Sequence, residues 1–182
     1  MNNLRIITVI LVLAITACDH KPPTLPDCLT SSSDFKPDDC PGNGSCSFEF
    51  YPESKLEVLN DAQGIQFKLK EGKNLVFHFE YTRHVSPLIT DAGYSESIYF
   101  EVKSGCKSFL IREEDLEDSG AIFGRFCFCP DFGYFRISQG CIFGNKINDR
   151  TWNVSLNLTA TSQSSAYNRM KQRDFLKKER PE

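Results

Sequence analysis

The strongest constraint on the fold is an alternation of apolar and polar residues with a period of two. Residues 65–69 place Ile65, Phe67 and Leu69 on one side, with glutamine and lysines on the other. After the polar stretch 71–74, the same alternation resumes over residues 75–81. Side chains alternate between the two faces of a strand, so this pattern predicts a β-hairpin with a four-residue loop.

Further strand patterns extend this prediction along the chain. Residues 98–103 and Trp152–Ala160 alternate cleanly, and weaker candidates lie at 47–51, 56–60, 107–112, 121–129, 133–138 and 141–147. The fifteen phenylalanines and six tyrosines suit a packed sheet. Short strands separated by turns predict an all-β domain over residues 46–162, an antiparallel β-sandwich of immunoglobulin-like or jelly-roll-like type.

The first seventeen residues have the pattern of a signal peptide. A polar start with Arg5 is followed by an apolar run from Ile6 to Ala17. A helix that crosses a bilayer needs about 20 apolar residues, and this run is shorter. We therefore expect residues 1–17 to be a cleaved targeting segment.

The end of that segment resembles the lipobox of bacterial lipoproteins. The residues are Leu13-Ala14-Ile15-Thr16-Ala17-Cys18, with small residues before the cysteine. The resemblance implies that the Cys18 thiol receives a diacylglyceryl group and that cleavage falls between Ala17 and Cys18. It implies a lipid anchor in the inner or outer membrane of a bacterial envelope, with the domain in the periplasm or at the cell surface. Ordinary signal-peptide cleavage and an uncleaved anchor are the alternatives.

Two segments outside the sandwich have a different composition. Residues 18–45 are rich in proline, serine and aspartate, which predicts a tether carrying the lipid. Residues 163–182 contain mostly helix formers without an apolar stripe, which predicts a frayed helix or a disordered basic tail. The acidic run 112–118 predicts a solvated loop or one helical turn.

Seven cysteines remain after Cys18, an odd number, and they predict disulfides of an oxidising compartment. A bridge within Cys127-Phe128-Cys129 would be strained in a strand, so we expect Cys40 or Cys46 to bond Cys127 or Cys129. The alternative is a metal site at the Cys-x-Cys pair with Cys106, Cys141 or His78, but its spacing differs from that of structural zinc sites. The disulfide candidates are Cys28, Cys40, Cys46, Cys106, Cys127, Cys129 and Cys141.

Catalytic motifs are missing from the sequence. It has no nucleophile elbow, zinc-protease helix motif, phosphate loop or dinucleotide fingerprint. His78 falls on the polar side of its strand, where a surface histidine is expected, and His20 and His84 have no evident catalytic partner. The net charge of −3 does not favour nucleic-acid binding. We therefore expect no catalytic residue, metal or cofactor.

The aromatic residues between 123 and 143 have two interpretations. They form the core, with the second face of strand 121–129 covered by the tether, or they are exposed and bind a sugar or protein. The residues are Phe123, Phe126, Phe128, Phe132, Tyr134, Phe135 and Phe143.

The expected function is a membrane-anchored lipoprotein acting as a binding or structural module for an envelope protein or glycan. The alternative is a glycan hydrolase that uses paired carboxylates from Glu80, Glu101 or the acidic run 113–118.

Overall fold

The computed structural model describes residues 40, 42–62, 64–85, 93–161 and 166–181. These residues form strands and one short helix, so the predicted all-β class is confirmed. The elements are β1 (Gly44–Asp61), β2 (Gly64–Glu71), β3 (Asn74–Arg83), β4 (Tyr94–Val102), β5 (Ser108–Arg112), α1 (Glu114–Asp118), β6 (Ile122–Cys127), β7 (Gly133–Asn148), β8 (Thr151–Thr161) and β9 (Ala166–Lys177).

All nine strands of the described residues belong to one hydrogen-bonded sheet. Its order is β2-β1-β3-β4-β6-β7-β8-β9, and β5 pairs with β7 beside this path. The sheet also closes on itself, because β9 pairs with β1. That contact is parallel, whereas the other pairings are antiparallel. A division into two separate sheets, as the predicted sandwich requires, is not confirmed.

Two long strands replace four of the shorter predicted ones. β1 merges the candidates at 47–51 and 56–60, and β7 merges those at 133–138 and 141–147. The register of β1 on β3 shifts between Tyr51 and Ser54, and that of β7 on β8 shifts between Ile137 and Gln139. Such irregularities bend a strand without ending it. The polar interruptions in the sequence therefore mark bends inside continuous strands.

The main core lies on the inner face of this closed sheet. Phe77 of β3 is fully buried and stacks on Phe100, with 5.0 Å between the ring centroids. Its ring also meets Trp152 of β8 edge to face at 5.7 Å, although β3 and β8 are not neighbours in the sheet. The sheet therefore curls until opposite strands pack across the interior.

A smaller core lies on the outer face and overturns one expectation. It contains Tyr51, Leu56 and Val76, and Phe67 of β2 packs against it. The part of β1 after its bend pairs with β2, and both lie over the outer face of the sheet. His78 is 8% exposed as a result, so the prediction of a surface histidine is wrong. The alternation placed its side chain on the outer face correctly, but the outer face is covered by another strand.

The structure also corrects the prediction for the C-terminal segment. The prediction of a frayed helix or disordered tail over 163–182 is wrong, because residues 166–177 form β9. This strand pairs with β8 from Thr161↔Ala166 to Thr151↔Leu176 and reaches β1 at Glu49↔Leu176. The pairing of its backbone with two neighbours outweighs the weak helix preference of its residues.

Candidate functional site

Of the seven aromatic residues in the predicted cluster, two are buried, three are exposed, and Tyr134 and Phe135 are partly buried. Phe123 and Phe143 are 1% and 5% exposed. By contrast, the rings of Phe128 and Phe132 are 87% and 67% exposed, and that of Phe126 is 38% exposed. The first two rings therefore belong to the core, as the first interpretation predicts, and the other three are exposed, as the second predicts. All the exposed phenylalanines among the described side chains belong to this group.

A short disulfide-closed loop carries the exposed rings. β6 ends at Cys127 and β7 begins at Gly133, where φ is +116°. Glycine adopts that backbone conformation without steric cost. Cys127 bonds Cys129 across the start of the turn, with 5.2 Å between the two Cα atoms. The loop lines a shallow hollow of about 560 Å³ with Phe128, Pro130 and Phe132.

The expected bridge between Cys40 or Cys46 and Cys127 or Cys129 is wrong. Cys40 bonds Cys46 instead, with 5.6 Å between the Cα atoms. The objection to a Cys127–Cys129 bridge assumed a continuous strand through both residues. The strand ends at Cys127, and the turn brings the second sulfur within bonding distance.

The remaining cysteines lie apart from this loop. Cys106 is 6% exposed, and Cys141 of β7 has no exposed surface. Both are disulfide-bonded, and the described residues contain no free cysteine. Ala17, Cys18 and Cys28 lie outside the described residues.

Strand register brings further polar side chains to the end of the sheet that holds the loop. Tyr94, the first residue of β4, lies opposite Cys127, and Arg83, the last residue of β3, lies opposite Gly44. His84 and Val85 follow β3 and are exposed. We call this region the aromatic end and define it as residues 83–85, Tyr94 and residues 125–132.

Two cations frame the tyrosine of the aromatic end. The guanidinium of Arg83 lies 4.5 Å from the centre of the Tyr94 ring, and that of Arg125 lies 5.6 Å from it. The tyrosine hydroxyl donates a hydrogen bond to Glu96, whose side chain is buried. Arg83 is exposed, and Asp131 in the loop is partly buried. The aromatic end thus presents an exposed cation at the same end of the sheet as the exposed rings.

Sequence reasoning identified the phenylalanines but missed Arg83, Tyr94 and Arg125. These residues lie on three different strands, and no spacing in the sequence connects them. Their proximity follows from the pairing of β3, β4 and β6.

A second concave region contains some of the predicted carboxylates. Glu101, Asp115 and Asp118 line a cavity of about 280 Å³ between β4, β5 and α1, whereas Glu80 is not part of it. One oxygen of Glu101 accepts a hydrogen bond of 2.6 Å from the Leu56 amide. The other accepts one of 2.5 Å from the Asn74 side chain. Glu101 of β4 therefore links the part of β1 just after its bend to the first residue of β3.

The buried histidine lies on a third surface. The His78 ring stacks on the Tyr99 ring with 4.1 Å between centroids. Burial lowers the pKa of His78 to about 4, although the nearby Glu49 carboxylate opposes the shift. His78 is therefore a neutral packing residue near pH 7, while His20 lies outside the described residues and His84 is exposed.

No cluster of three or more histidine, cysteine or acidic side chains suited to a metal ion occurs within the described ranges. None of the helices in the described part of the chain has the length and apolarity of a membrane span. The chain matches no protein-family model, no curated protein and no solved structure.

Proposed function

We propose that this chain is a lipid-anchored protein of a bacterial cell envelope whose β domain acts as a binding or structural module. The Leu13–Cys18 segment supports the anchor, because its small residues and cysteine match the pattern that lipoprotein-processing enzymes recognise. The Cys18 thiolate would attack the glyceryl carbon of a phospholipid, forming a thioether to the diacylglyceryl group while the C–O bond to the phosphate breaks and the phosphorylated headgroup leaves with the thiol proton. Hydrolysis of the Ala17–Cys18 bond would then free the cysteine amine. Two or more acyl chains hold a protein on a membrane where one is marginal.

The observation that carries the module hypothesis is the exposure of Phe128 and Phe132 on a disulfide-closed loop. Burying one phenylalanine is worth about 1.5–3 kcal/mol, so exposed rings forgo this stabilisation. Exposed apolar groups that adjoin one another mark interaction sites more often than isolated ones do. The bridge from Cys127 to Cys129 limits the loop's conformations, which lowers the entropic cost of binding. The partner classes we propose are an envelope protein and an envelope glycan.

Palmitate labelling in a bacterial host tests the anchor. The wild-type chain should incorporate label and lose residues 1–17, while Cys18→Ser should remain an unlabelled precursor. Cys28→Ser is the matched control, since it should be processed normally. A Cys18 found in a disulfide with Cys106 or Cys141 would contradict the anchor, because that bond consumes the same thiol.

Site-specific photo-crosslinking tests the module. A photoreactive phenylalanine analogue replaces Phe128 in the lipidated chain, and the same analogue at Ile147 is the control because Ile147 is 61% exposed on another hairpin. The proposal expects a discrete adduct from position 128 and none from position 147. Equal adducts from both positions would show nonspecific capture and would count against the module.

The alternative function, a glycan hydrolase, is favoured only by the acidic cavity. Asp115 and Asp118 line it and are exposed, so they are the remaining acid and base candidates. Asp115→Asn and Asp118→Asn should abolish release of reducing ends from envelope glycan if this function is correct. Glu114→Gln is the control, because Glu114 lies on the same helix outside the cavity lining. Equal activity in all three variants would reject the alternative.

A further inference from the structure

The chain enters the domain at the same end of the sheet that displays the exposed rings. β1 begins at Gly44, which lies opposite Arg83 of the aromatic end. The disulfide from Cys40 to Cys46 ties the preceding residues to this start of β1. Cys46 in turn pairs with Tyr81, near the end of β3. The last residues of the tether and the aromatic end are therefore fixed side by side.

The length of the tether limits how far this end stands from the lipid. Positions 19–39 separate Cys18 from Cys40, and a chain of that length reaches at most about 75 Å when it is fully extended. A short tether holds its two ends at millimolar effective concentration. The membrane is therefore the surface that the aromatic end meets most often.

The chemistry of the aromatic end suits the boundary between lipid headgroups and acyl chains. Phenylalanine rings partition into that boundary, and a nearby arginine pairs with lipid phosphates. Phe128 and Phe132 provide the rings, and Arg83 provides an exposed cation whose guanidinium lies over the Tyr94 ring. The carboxylate of Glu96 is buried beneath the tyrosine and does not face a membrane, whereas Asp131, which lies between the two rings in the loop, is partly buried.

We propose that the aromatic end docks on the bilayer that carries the Cys18 lipid, with Phe128 and Phe132 inserted at the headgroup boundary. This inference rests on the proposed lipid anchor. It goes beyond the proposed function, because it names the bilayer, in place of an envelope protein or glycan, as the partner of the exposed rings and as the surface that orients the domain. The far hairpin of β7 and β8, with exposed Ile147, then points away from the membrane.

Fluorescence quenching by brominated lipid tests the docking. The lipidated mature chain carrying Phe128→Trp is reconstituted into vesicles of phosphatidylethanolamine and phosphatidylglycerol with brominated acyl chains. Ile147→Trp is the matched control, and the wild-type chain supplies the background of Trp152, which is 1% exposed. We expect about twofold quenching of the indole introduced at position 128, as for a ring at the headgroup boundary, and none of the indole at position 147.

The outcomes separate this inference from the anchor. Mass spectrometry first establishes whether Cys18 carries lipid, and a chain without lipid contradicts the proposed function. In a lipidated chain, absence of quenching in both Phe128→Trp and Phe132→Trp overturns the docking and leaves the anchor intact. A crosslink from position 128 to an envelope protein or glycan, with none to lipid, overturns it as well.

A charge variant tests the role of the cation. Arg83→Gln in the Phe128→Trp background should weaken quenching on phosphatidylglycerol vesicles and leave it unchanged on purely zwitterionic ones. Lys73→Gln is the control, since this exposed lysine lies in the β2–β3 turn at the other end of β3. Equal loss in both variants would contradict the contact that we assign to Arg83.

Discussion

Glu49 of β1 and Lys178, the residue after β9, form an ion pair with 2.8 Å between the Oε1 and Nζ atoms. The Lys178 amide also donates a hydrogen bond of 2.9 Å to the Phe50 carbonyl. A further bond of 2.9 Å runs from the Arg180 guanidinium to the Glu53 carbonyl. The end of the chain is thus attached to the first strand, and this attachment closes the sheet.

Truncation after Ser162 should strongly destabilise the protein. It removes β9, so the backbone groups of β8 and β1 that pair with β9 lose their hydrogen-bonding partners. The position of Trp152, which pairs with Phe175, is among them. We expect the free energy of unfolding to fall by more than about 4 kcal/mol, measured by urea denaturation. A chain ending at Arg180 is the control and should unfold like the wild type. An unchanged midpoint in the shorter chain would show that β9 contributes little.

The Glu49–Lys178 pair should contribute only modestly by itself. Burial raises the pKa of the Glu49 carboxyl, but hydrogen bonds from Lys178 and Tyr51 outweigh this effect and hold it below its usual value. The lysine is 58% exposed, so solvent screens the interaction. Lys178→Ala should cost less than about 1 kcal/mol at low salt and still less at high salt. Lys177→Ala, which removes an exposed charge at the neighbouring position, should cost nothing measurable.

The buried histidine should make stability depend on pH. The pKa of His78 falls from an ordinary 6.5 to about 4 on folding, so the unfolded chain binds its proton more tightly. Stability is therefore complete above pH 6.5 and decreases as the pH falls towards 4, by about 3 kcal/mol for this group.

Urea denaturation at pH 7 and pH 4 checks this expectation. His78→Phe keeps a ring in the stack with Tyr99 and should reduce the difference in stability between the two pH values. His84→Gln is the control, because His84 is exposed and should leave the difference unchanged. The same pH dependence in His78→Phe and the wild type would contradict the assignment.

Two glycines with positive φ should respond differently to alanine. Gly140 lies in the bent part of β7 with φ +110°, and a Cβ there would meet the Asn157 carbonyl oxygen at 2.0 Å. Gly105 has φ +86° with open space around it. Gly105→Ala should cost about 1 kcal/mol of backbone strain, and Gly140→Ala about 3 kcal/mol or more. Thermal unfolding gives both values, and equal costs would mean that β7 moves to accommodate the methyl group.

The sequence predicted most of the strands because their signal is local. The alternation in 65–81 gave β2 and β3, with the turn at Gly72 and Lys73, and that in Trp152–Ala160 gave β8. The acidic run contains the short helix Glu114–Asp118, in which the apolar Leu116 is fully buried. In each case, neighbouring residues contain the pattern that specifies the structure.

Prediction failed where a partner distant in sequence decides the outcome. β9 lacks an apolar stripe, and its strand conformation depends on pairing with β8 and β1. His78 has the alternation of a surface residue, but β2 covers its side of the sheet. The bridge from Cys127 to Cys129 depends on where β6 ends, a boundary that the apolar run 121–129 does not mark.

The sequence by itself therefore determined the all-β class, the main strands and the expectation of a lipid at Cys18, because each follows from residues close together in the chain. Only the tertiary structure decided which phenylalanines are core and which are exposed. The rings of Phe123 and Phe128 are chemically identical and five positions apart, yet they are 1% and 87% exposed. The difference arises because Phe123 faces the interior of the closed sheet, whereas Phe128 lies in the turn beyond the end of β6.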